Sequence, residues 1–263
     1  MDWLRTIAAT GLSLALAGGV AWAQDEGDAE PAGEAAAQPS DPNSWLDGWE
    51  GSASLGLNGS TGNTEVLNFR AGLNAVRDTS DQTTTFDIAY LLNRDDGDNT
   101  ENRLDSLLRN DWKFGESPWR AFATARYEYD QFKDWDSRLS LFAGPGYIFI
   151  DDEKTFLMGR AGAGLVREWG SSNNEWQPEG LLGVDYERQL TERQKLTATV
   201  EYYPSLQHAS HFRLLGRAAW ELLVDPEINM SLKAGIEDEY NSNPSGDDER
   251  NDLRYFVLLV WSF

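Results

Sequence analysis

Apolar and polar residues alternate along most of the chain, and the last stretch, 253–263, shows this most clearly. Every second residue there is apolar: Leu253, Tyr255, Val257, Leu259, Trp261 and Phe263. Arg254, Phe256, Leu258, Val260 and Ser262 form a mixed second set. Because successive side chains of a strand point to opposite faces, the pattern predicts a strand with one continuous apolar face. Its length, about ten residues, is what a tilted strand needs to cross a bilayer.

The same alternation recurs from Trp49 onward, with turn-forming residues between the segments and no sustained helical period. The predicted strands are 49–59, 65–77, 83–93, 103–114, 119–130, 138–149, 156–169, 179–189, 195–204, 212–222, 228–240 and 253–263. Segment 156–169 is so rich in glycine and alanine that its facing stays ambiguous. The pattern predicts an all-β fold, a transmembrane antiparallel up-and-down β-barrel of about 12 strands. A soluble periplasmic β-sandwich is the alternative fold.

The connections between these segments alternate in length. Short breaks at 78–81, 115–118, 151–154, 191–194 and 225–227 alternate with longer ones at 94–102, 131–137, 170–177 and 241–251. The break at 60–63 is a short exception in the second set. Outer-membrane barrels have short periplasmic turns and longer outer loops. The alternation therefore favours a barrel with both termini in the periplasm.

Charged residues recur on the face opposite the apolar one in most of the predicted strands. An arginine or lysine facing lipid near the bilayer midplane costs about 2–4 kcal/mol, so these side chains are predicted to face the lumen. The candidates are Arg70, Asp87, Arg103, Asp105, Arg109, Asp111, Arg126, Glu128, Asp185, Glu201, Arg213, Arg217, Glu237 and Arg254. They form either a packed ion-pair network that closes the barrel or the charged wall of a selective channel. An excess of acids would favour cations.

Composition agrees with a barrel and excludes several other classes. The chain has 263 residues, 44 acids against 22 bases and a formal net charge of −22, which argues against nucleic acid as a partner. It contains no cysteine, so disulfides and thiolate metal sites are excluded. The mean hydropathy of −0.54 fits a barrel in which only one face of each strand is apolar. The 11 tryptophans suit the aromatic girdles of such a barrel.

The N-terminal region reads as a targeting segment followed by a polar leader. Arg5, an apolar run over 7–20 and Ala21-Trp22-Ala23 have the order of a secretory signal peptide. Residues 24–47 are mainly Ala, Glu, Asp, Pro and Gln, a composition typical of disorder. We therefore predict a signal peptide at 1–23, a disordered acidic periplasmic leader at 24–47 and a barrel at 48–263.

No motif in the chain points to catalysis. The histidines, His208 and His211, lie near Ser205 and Ser210, and two histidines three residues apart make a weak metal pair without a third ligand. Acidic clusters at 95–98 and 247–249 lack the EF-hand spacing. We predict no enzyme activity, no catalytic residues, no metal and no cofactor. A lipid-modifying outer-membrane enzyme, with Ser and His on its outer wall, is the distant alternative.

Three stretches resemble a known family: Leu57-Asn58-Gly59-Ser60-Thr61-Gly62-Asn63-Thr64, Gly144-Pro145-Gly146-Tyr147-Ile148-Phe149 and the aromatic C-terminal strand. They are similar to a Gram-negative family with a domain of unknown function, often labelled salt-induced outer-membrane protein. The resemblance covers about residues 49–263. It implies an outer-membrane barrel and a role in envelope or salt stress, and it supplies no catalytic residues.

We therefore predict a structural or stress-related protein of the cell outer membrane, with room for passage of small solutes or ions. A porin-like diffusion channel is the alternative. The expected partners are outer-membrane lipid, periplasmic chaperones and the barrel-insertion machinery, which would read Tyr255, Val257, Leu259, Trp261 and Phe263 as an assembly signal. Nothing in the sequence predicts the oligomeric state.

Overall fold

The computed structural model describes residues 47–60, 66–171, 174–244 and 249–263, without the side chains of 58–60. Within these residues the chain forms twelve strands and no helix. The strands are β1 (Trp49–Ser60), β2 (Val66–Asp78), β3 (Gln82–Asp95), β4 (Asp98–Lys113), β5 (Trp119–Asp130), β6 (Ser137–Asp151), β7 (Thr155–Trp169), β8 (Gln177–Thr191), β9 (Gln194–Pro204), β10 (Phe212–Asp225), β11 (Met230–Asn241) and β12 (Asn251–Ser262).

Each strand pairs antiparallel with the next, and β12 returns to pair with β1, so the sheet closes into a barrel. The fold class predicted from the sequence is confirmed. We call the end where β1 begins and β12 ends the terminal end, and the opposite one the far end. The described residues contain no helix long and apolar enough to cross a membrane.

Strand bounds follow the alternation closely, as in β5, which matches its predicted range. The connection predicted at 94–102 is wrong. There β3 and β4 continue as a hairpin until Asp95 pairs with Asp98, and only Asp96 and Gly97 form the turn. Both turn residues have positive φ, 49° and 89°. An Asp-Gly pair adopts this conformation readily, and such turns match the twist of the two strands.

The outer wall is apolar along the whole circumference. Exposed large residues on the outward face include Leu73, Leu108, Leu141, Leu182, Val200, Ile236 and Val257. Aromatic side chains border this wall at both ends. At the terminal end the Trp119 and Tyr147 rings lie 4.9 Å apart. At the far end Phe212 lies 5.3 Å from Tyr202 and 5.7 Å from Tyr240.

The inner face holds a small apolar core between charged groups. Its members are Phe122, Phe142, Val166, Leu181 and Tyr203, all buried. Strand β7 makes room for the rings because two of its inward positions, Gly162 and Gly164, are glycine. A Cβ at Gly164 would lie 2.5 Å from Phe142 Cδ1 and 2.0 Å from the Leu141 carbonyl oxygen. The small residues that made this strand ambiguous in the sequence therefore allow aromatic packing inside the barrel.

Residues Gly48–Ser262 form one compact unit. The predicted signal peptide, 1–23, and nearly all of the predicted acidic leader, 24–47, lie outside the described residues. So do residues 247 and 248 of the second acidic cluster.

Candidate functional site in the barrel lumen

The predicted lumen residues lie on the face that carries Phe122, because cross-strand partners share a face. On β4 and β5, for example, Asp111 pairs with Phe122, Asp105 with Glu128, and Leu107 with Arg126. The same register around the barrel places these residues inside: Arg70, Asp87, Arg103, Asp105, Arg109, Asp111, Arg126, Glu128, Asp185, Glu201, Arg213, Arg217, Glu237 and Arg254.

Toward the far end, two buried glutamates gather three arginines. Glu239 on β11 lies 3.2 Å from Arg103 on β4, 4.0 Å from Arg138 on β6 and 3.6 Å from Arg254 on β12. Glu128 on β5 lies 3.4 Å from Arg103 and 3.7 Å from Arg138. We call these five residues the far-end cluster. It joins β4–β6 to β11 and β12 across the lumen, through side chains rather than through the sheet.

The cluster is extended at its rim. Arg254 lies 3.2 Å from Glu101 on β4, and Arg138 lies 2.7 Å from Glu168 on β7. Lys133, in the β5–β6 connection, reaches Asp252 on β12 at 2.6 Å. The contacts of Arg254 and Lys133 cross the mouth of the barrel, whereas Arg138 and Glu168 are partners on neighbouring strands.

A second set of contacts crosses the middle of the lumen. Arg126 on β5 donates to Glu201 on β9 at 3.2 Å and lies 3.7 Å from Asp105. The Tyr203 hydroxyl donates to the same Glu201 oxygen at 3.0 Å. Tyr203 also belongs to the apolar core, so this core and the ion pairs form one packed layer across the barrel.

Closer to the terminal end, Asp111 and Asp185 share two arginines. Arg160 on β7 lies 3.1 Å from Asp111 and also contacts Asp185 on β8. Arg109 on β4 lies 3.4 Å from Asp111 and 3.7 Å from Asp185. We call these four residues the terminal-half cluster. The sequence interpretation missed Arg160 because β7 is glycine- and alanine-rich on both faces; the only usable signal was the cost of facing an arginine outward.

The remaining predicted residues form contacts outside these two clusters, each with one or two partners. Arg70 lies 2.6 Å and Arg217 lies 2.8 Å from the same oxygen of Glu237. Arg213 donates to Glu179 at 2.9 Å, and Asp87 accepts from Asn74 at 2.7 Å. Every predicted lumen charge thus contacts another polar side chain, mostly of opposite charge.

Three cavities follow one another along the barrel axis, at the terminal end, in mid-lumen and at the far end. A cavity of about 500 Å³ opens at the terminal end, lined by groups such as Asp78, Lys113 and Arg160. One of about 150 Å³ lies in mid-lumen, and one of about 270 Å³ lies at the far end. The terminal-end and mid-lumen cavities meet at Arg109 and Asp185, two residues of the terminal-half cluster.

His208 and His211 line the far-end cavity, with their rings stacked 5.0 Å apart. Ser205 Oγ accepts hydrogen bonds from the backbone N–H groups of Gln207 and His208. These contacts are those of an ordered turn. Across the part of the chain that the structure describes, no group of three or more His, Asp or Glu side chains is arranged to hold a metal ion.

A closed twelve-strand barrel with an apolar wall and a charged interior has the architecture of an outer-membrane β-barrel. The chain belongs to the family described as protein of unknown function, DUF481, whose model matches residues 53–263. The family resemblance read from the sequence is thereby confirmed. A search of curated proteins finds no significant match.

Solved structures with a similar arrangement share little sequence with this chain. The translocator domain of the autotransporter NalP from Neisseria meningitidis is 11% identical, with a TM-score of 0.47, over 82% of this chain and 88% of that one. The beta domain of the Bordetella autotransporter BrkA is 13% identical, with a TM-score of 0.40, over 82% and 99%. A Pseudomonas aeruginosa FadL homologue is 9% identical, with a TM-score of 0.35, over 82% and 74%. At these values the likenesses carry no argument about activity.

Proposed function

We propose that the protein is an integral β-barrel of the cell outer membrane, with both termini in the periplasm and a lumen closed by ion pairs. Two features support insertion into a membrane. Most outward side chains between the aromatic borders are apolar, and aromatic residues stand at both ends of the wall, as at the two interfaces of a bilayer. In water such a wall would be a very large exposed apolar patch.

The closed lumen rests on one observation: arginines and acids from opposite walls meet in the middle. Arg103 reaches from β4 to Glu239 on β11, and Arg126 reaches from β5 to Glu201 on β9. The buried rings of Phe122 and Phe142 occupy the space beside them. A twelve-strand barrel is wider than one filled by simple side-chain packing, so these bridges act as its internal supports. The role we propose is therefore structural. Its connection with envelope stress comes from the family resemblance.

Single-channel recording tests this closure. The refolded protein, shown to be inserted by heat-modifiable gel mobility, is placed in a planar bilayer and recorded in several salts. We expect the wild type to be silent or to show rare small steps. The variant Arg126→Ala combined with Glu201→Ala removes a central bridge and is expected to give regular steps. Frequent large steps from the wild type would contradict the closed lumen.

A diffusion channel is the second candidate, and the succession of cavities along the barrel axis favours it. Among the groups lining the mid-lumen cavity, Asp87, Asp105, Glu128, Asp185, Glu201, Glu237, Asp238 and Glu239 outnumber Arg103, Arg109, Arg126, Arg217 and Arg254. A conducting wild type would therefore prefer cations. A reversal potential measured in asymmetric KCl tests this, and neutralising Glu201 and Glu237 is expected to weaken the preference.

The outward face of β12 is the surface that we expect the assembly partners to recognise. Tyr255, Val257 and Leu259 are exposed there and Trp261 is half-buried; Phe263, which follows the strand, is also exposed. We propose that the barrel-insertion machinery recognises this face after periplasmic chaperones deliver the chain. Deleting Phe263 is expected to reduce the inserted fraction in cells. We propose no enzymatic role, and a His211→Ala variant should insert and behave as the wild type in any lipid-hydrolysis assay.

A role in salt stress remains a proposal drawn from the family resemblance. Its test is the growth of a deletion strain across a series of NaCl concentrations. A defect that appears only at high salt, and that is rescued by the inserted protein, would support it. Equal growth at every concentration would contradict it.

A further inference from the structure

The closing seam of the barrel is only partly paired. β1 pairs with β2 along its whole length, from Trp49 to Ser60. With β12, within the described residues, it pairs only from Ser52, opposite Ser262, to Leu55, opposite Leu259. On its other side β12 pairs with β11 up to Asn251. Over the described residues of its far-end half, Gly56 to Ser60, the seam therefore lacks the regular backbone ladder that joins every other pair of neighbouring strands.

Three side chains cross this half of the seam on the inside, and we call Arg70, Glu237 and Phe256 together the strap. Arg70 on β2 lies 2.6 Å from Glu237 on β11, although β1 and β12 both stand between those strands in the wall. On the way, the Arg70 guanidinium carbon lies 4.4 Å from the centre of the Phe256 ring on β12. An ion pair and a cation–π contact thus hold the seam where backbone pairing is absent.

The two sides of the unpaired half differ sharply in character. Outside, Leu57 and Val257 are 70% and 62% exposed and Tyr255 is 86% exposed. Inside, Glu237 and Arg254 line the mid-lumen cavity, whose charged groups are predominantly acidic. The strap therefore separates an apolar exterior from an acidic interior. The guanidinium of Arg70 supplies its cation on the β2 side of the seam, while Arg217 on β10 contacts the same Glu237 oxygen from the other side.

We propose that the far-end half of the β1–β12 seam is a lateral portal for a small amphipathic organic cation. A carboxylate beside an aromatic face is what holds the Arg70 guanidinium, and these two groups also recognise ammonium ligands. Such a ligand approaches along the apolar wall, displaces Arg70 from Glu237 and Phe256, and places its charge in the mid-lumen cavity. The proposal rests on the proposed function in that it requires a barrel inserted in lipid.

Opposite effects of two variants test the displacement. The probe is dodecyltrimethylammonium, titrated below its micelle concentration into protein held in phosphatidylcholine nanodiscs and followed by calorimetry. Glu237→Gln removes the proposed acceptor and should weaken saturable binding about tenfold, the size of one charge-assisted contact. Arg70→Gln removes the competing cation and should strengthen binding by a similar factor. General damage to the barrel cannot move the two variants in opposite directions.

Arg213→Gln is the matched control. Arg213 makes the same pair of contacts inside the continuous wall, 2.9 Å from Glu179 and 4.9 Å from the centre of the Tyr203 ring. Its loss should leave binding unchanged. Dodecyl sulfate, a chain of equal length with a negative head, should show only the partition into lipid that empty nanodiscs show. Unchanged or weaker binding to Arg70→Gln would overturn the proposal.

Cysteine cross-linking tests the seam itself, since the chain has no cysteine of its own. Ala53→Cys with Trp261→Cys joins two residues that pair across the seam, and should cross-link rapidly. Leu57→Cys with Val257→Cys lies four residues further along each strand, in the unpaired half, and should cross-link slowly. Once formed, that second disulfide should abolish the saturable binding.

The remaining outcomes of the cross-linking experiment are also informative. Equal cross-linking rates for the two pairs would show a closed seam and overturn the portal. Disulfides between chains at position 257 would instead make this edge a contact between two copies, which also overturns it. Failure of membrane insertion is detected separately, by heat-modifiable mobility of the same samples, so it is not confused with failure of the portal.

Discussion

Arg103 on β4 places its Nη1 atom 3.2 Å from Oε2 of Glu239 on β11, across the lumen of the barrel. Both side chains are about nine-tenths buried, and their strands are separated in the sheet by four strands in one direction and six in the other. The contact therefore braces parts of the wall that share no backbone hydrogen bond.

Arg103→Ala is expected to destabilise the barrel by about 3–5 kcal/mol, because it leaves buried glutamates without one of their cations. Urea unfolding from lipid vesicles, followed by tryptophan fluorescence, measures the loss. The exposed pair Lys195–Glu187, 3.7 Å apart, is the control. Lys195→Ala should cost less than about 1 kcal/mol. Equal losses in the two variants would mean that the cross-lumen pair contributes no more than a surface pair.

Phe122→Ala is expected to cost about 3–5 kcal/mol, since the ring is 1% exposed and its removal leaves a cavity in the inner core. Phe149→Ala is the matched control, because Phe149 is 62% exposed on the outer wall and its loss opens no internal space. The same unfolding assay compares them. A smaller loss for Phe122 than for Phe149 would show that the inner core does not support the barrel.

Leu73→Arg tests insertion into lipid. Leu73 is 53% exposed near the middle of β2, and in a bilayer an arginine there should cost about 2–4 kcal/mol. Leu67 lies on the same face six residues nearer the far end, so Leu67→Arg should cost only about 0–1 kcal/mol. On a water-soluble protein both changes would be close to neutral. Equal and small effects would therefore contradict membrane insertion.

Asp152, in the turn between β6 and β7, accepts hydrogen bonds from the backbone N–H groups of Lys154 and Thr155 at 2.9 and 2.7 Å. These bonds hold the pKa of this exposed carboxyl below its usual 3.8. The stabilisation is therefore complete above the pKa of the unfolded chain and is lost as the pH falls through the lower folded value. NMR titration should find its midpoint below 3.8 in the folded protein. A midpoint at or above that value would show that the turn does not form.

Alternation alone was sufficient to predict which side chains form the outer wall, because a strand has a fixed side-chain period of two. In β12 the apolar set from Leu253 to Trp261 faces outward, as the pattern indicated. The predicted lumen charges follow from the same period together with the cost of facing a charge outward. Partners could not be predicted in this way. Arg70 and Glu237 lie 167 residues apart, and only closure of the sheet brings them together.

Two errors show where local pattern fails. The pattern predicts a long loop where the structure has the hairpin at Asp96 and Gly97, because polar residues on both flanking segments conceal the strands. Arg160 was overlooked because glycine and alanine occupy both faces of β7, which removes the contrast on which the period depends. The missing information in the second case was packing: inward glycines are required there by the rings of Phe122 and Phe142.

The sequence by itself determined an all-β barrel of about twelve strands, which face of most strands is apolar, and many of the charges that line the lumen, although not Arg160. These properties follow from period, turn chemistry and the cost of charge in an apolar medium, all of which act locally. Tertiary structure alone decided that Arg103 meets Glu239, that the inner core lies among β5–β9, and that the β1–β12 seam is half paired. Each of these depends on where distant strands are placed once the sheet closes, which no local pattern encodes.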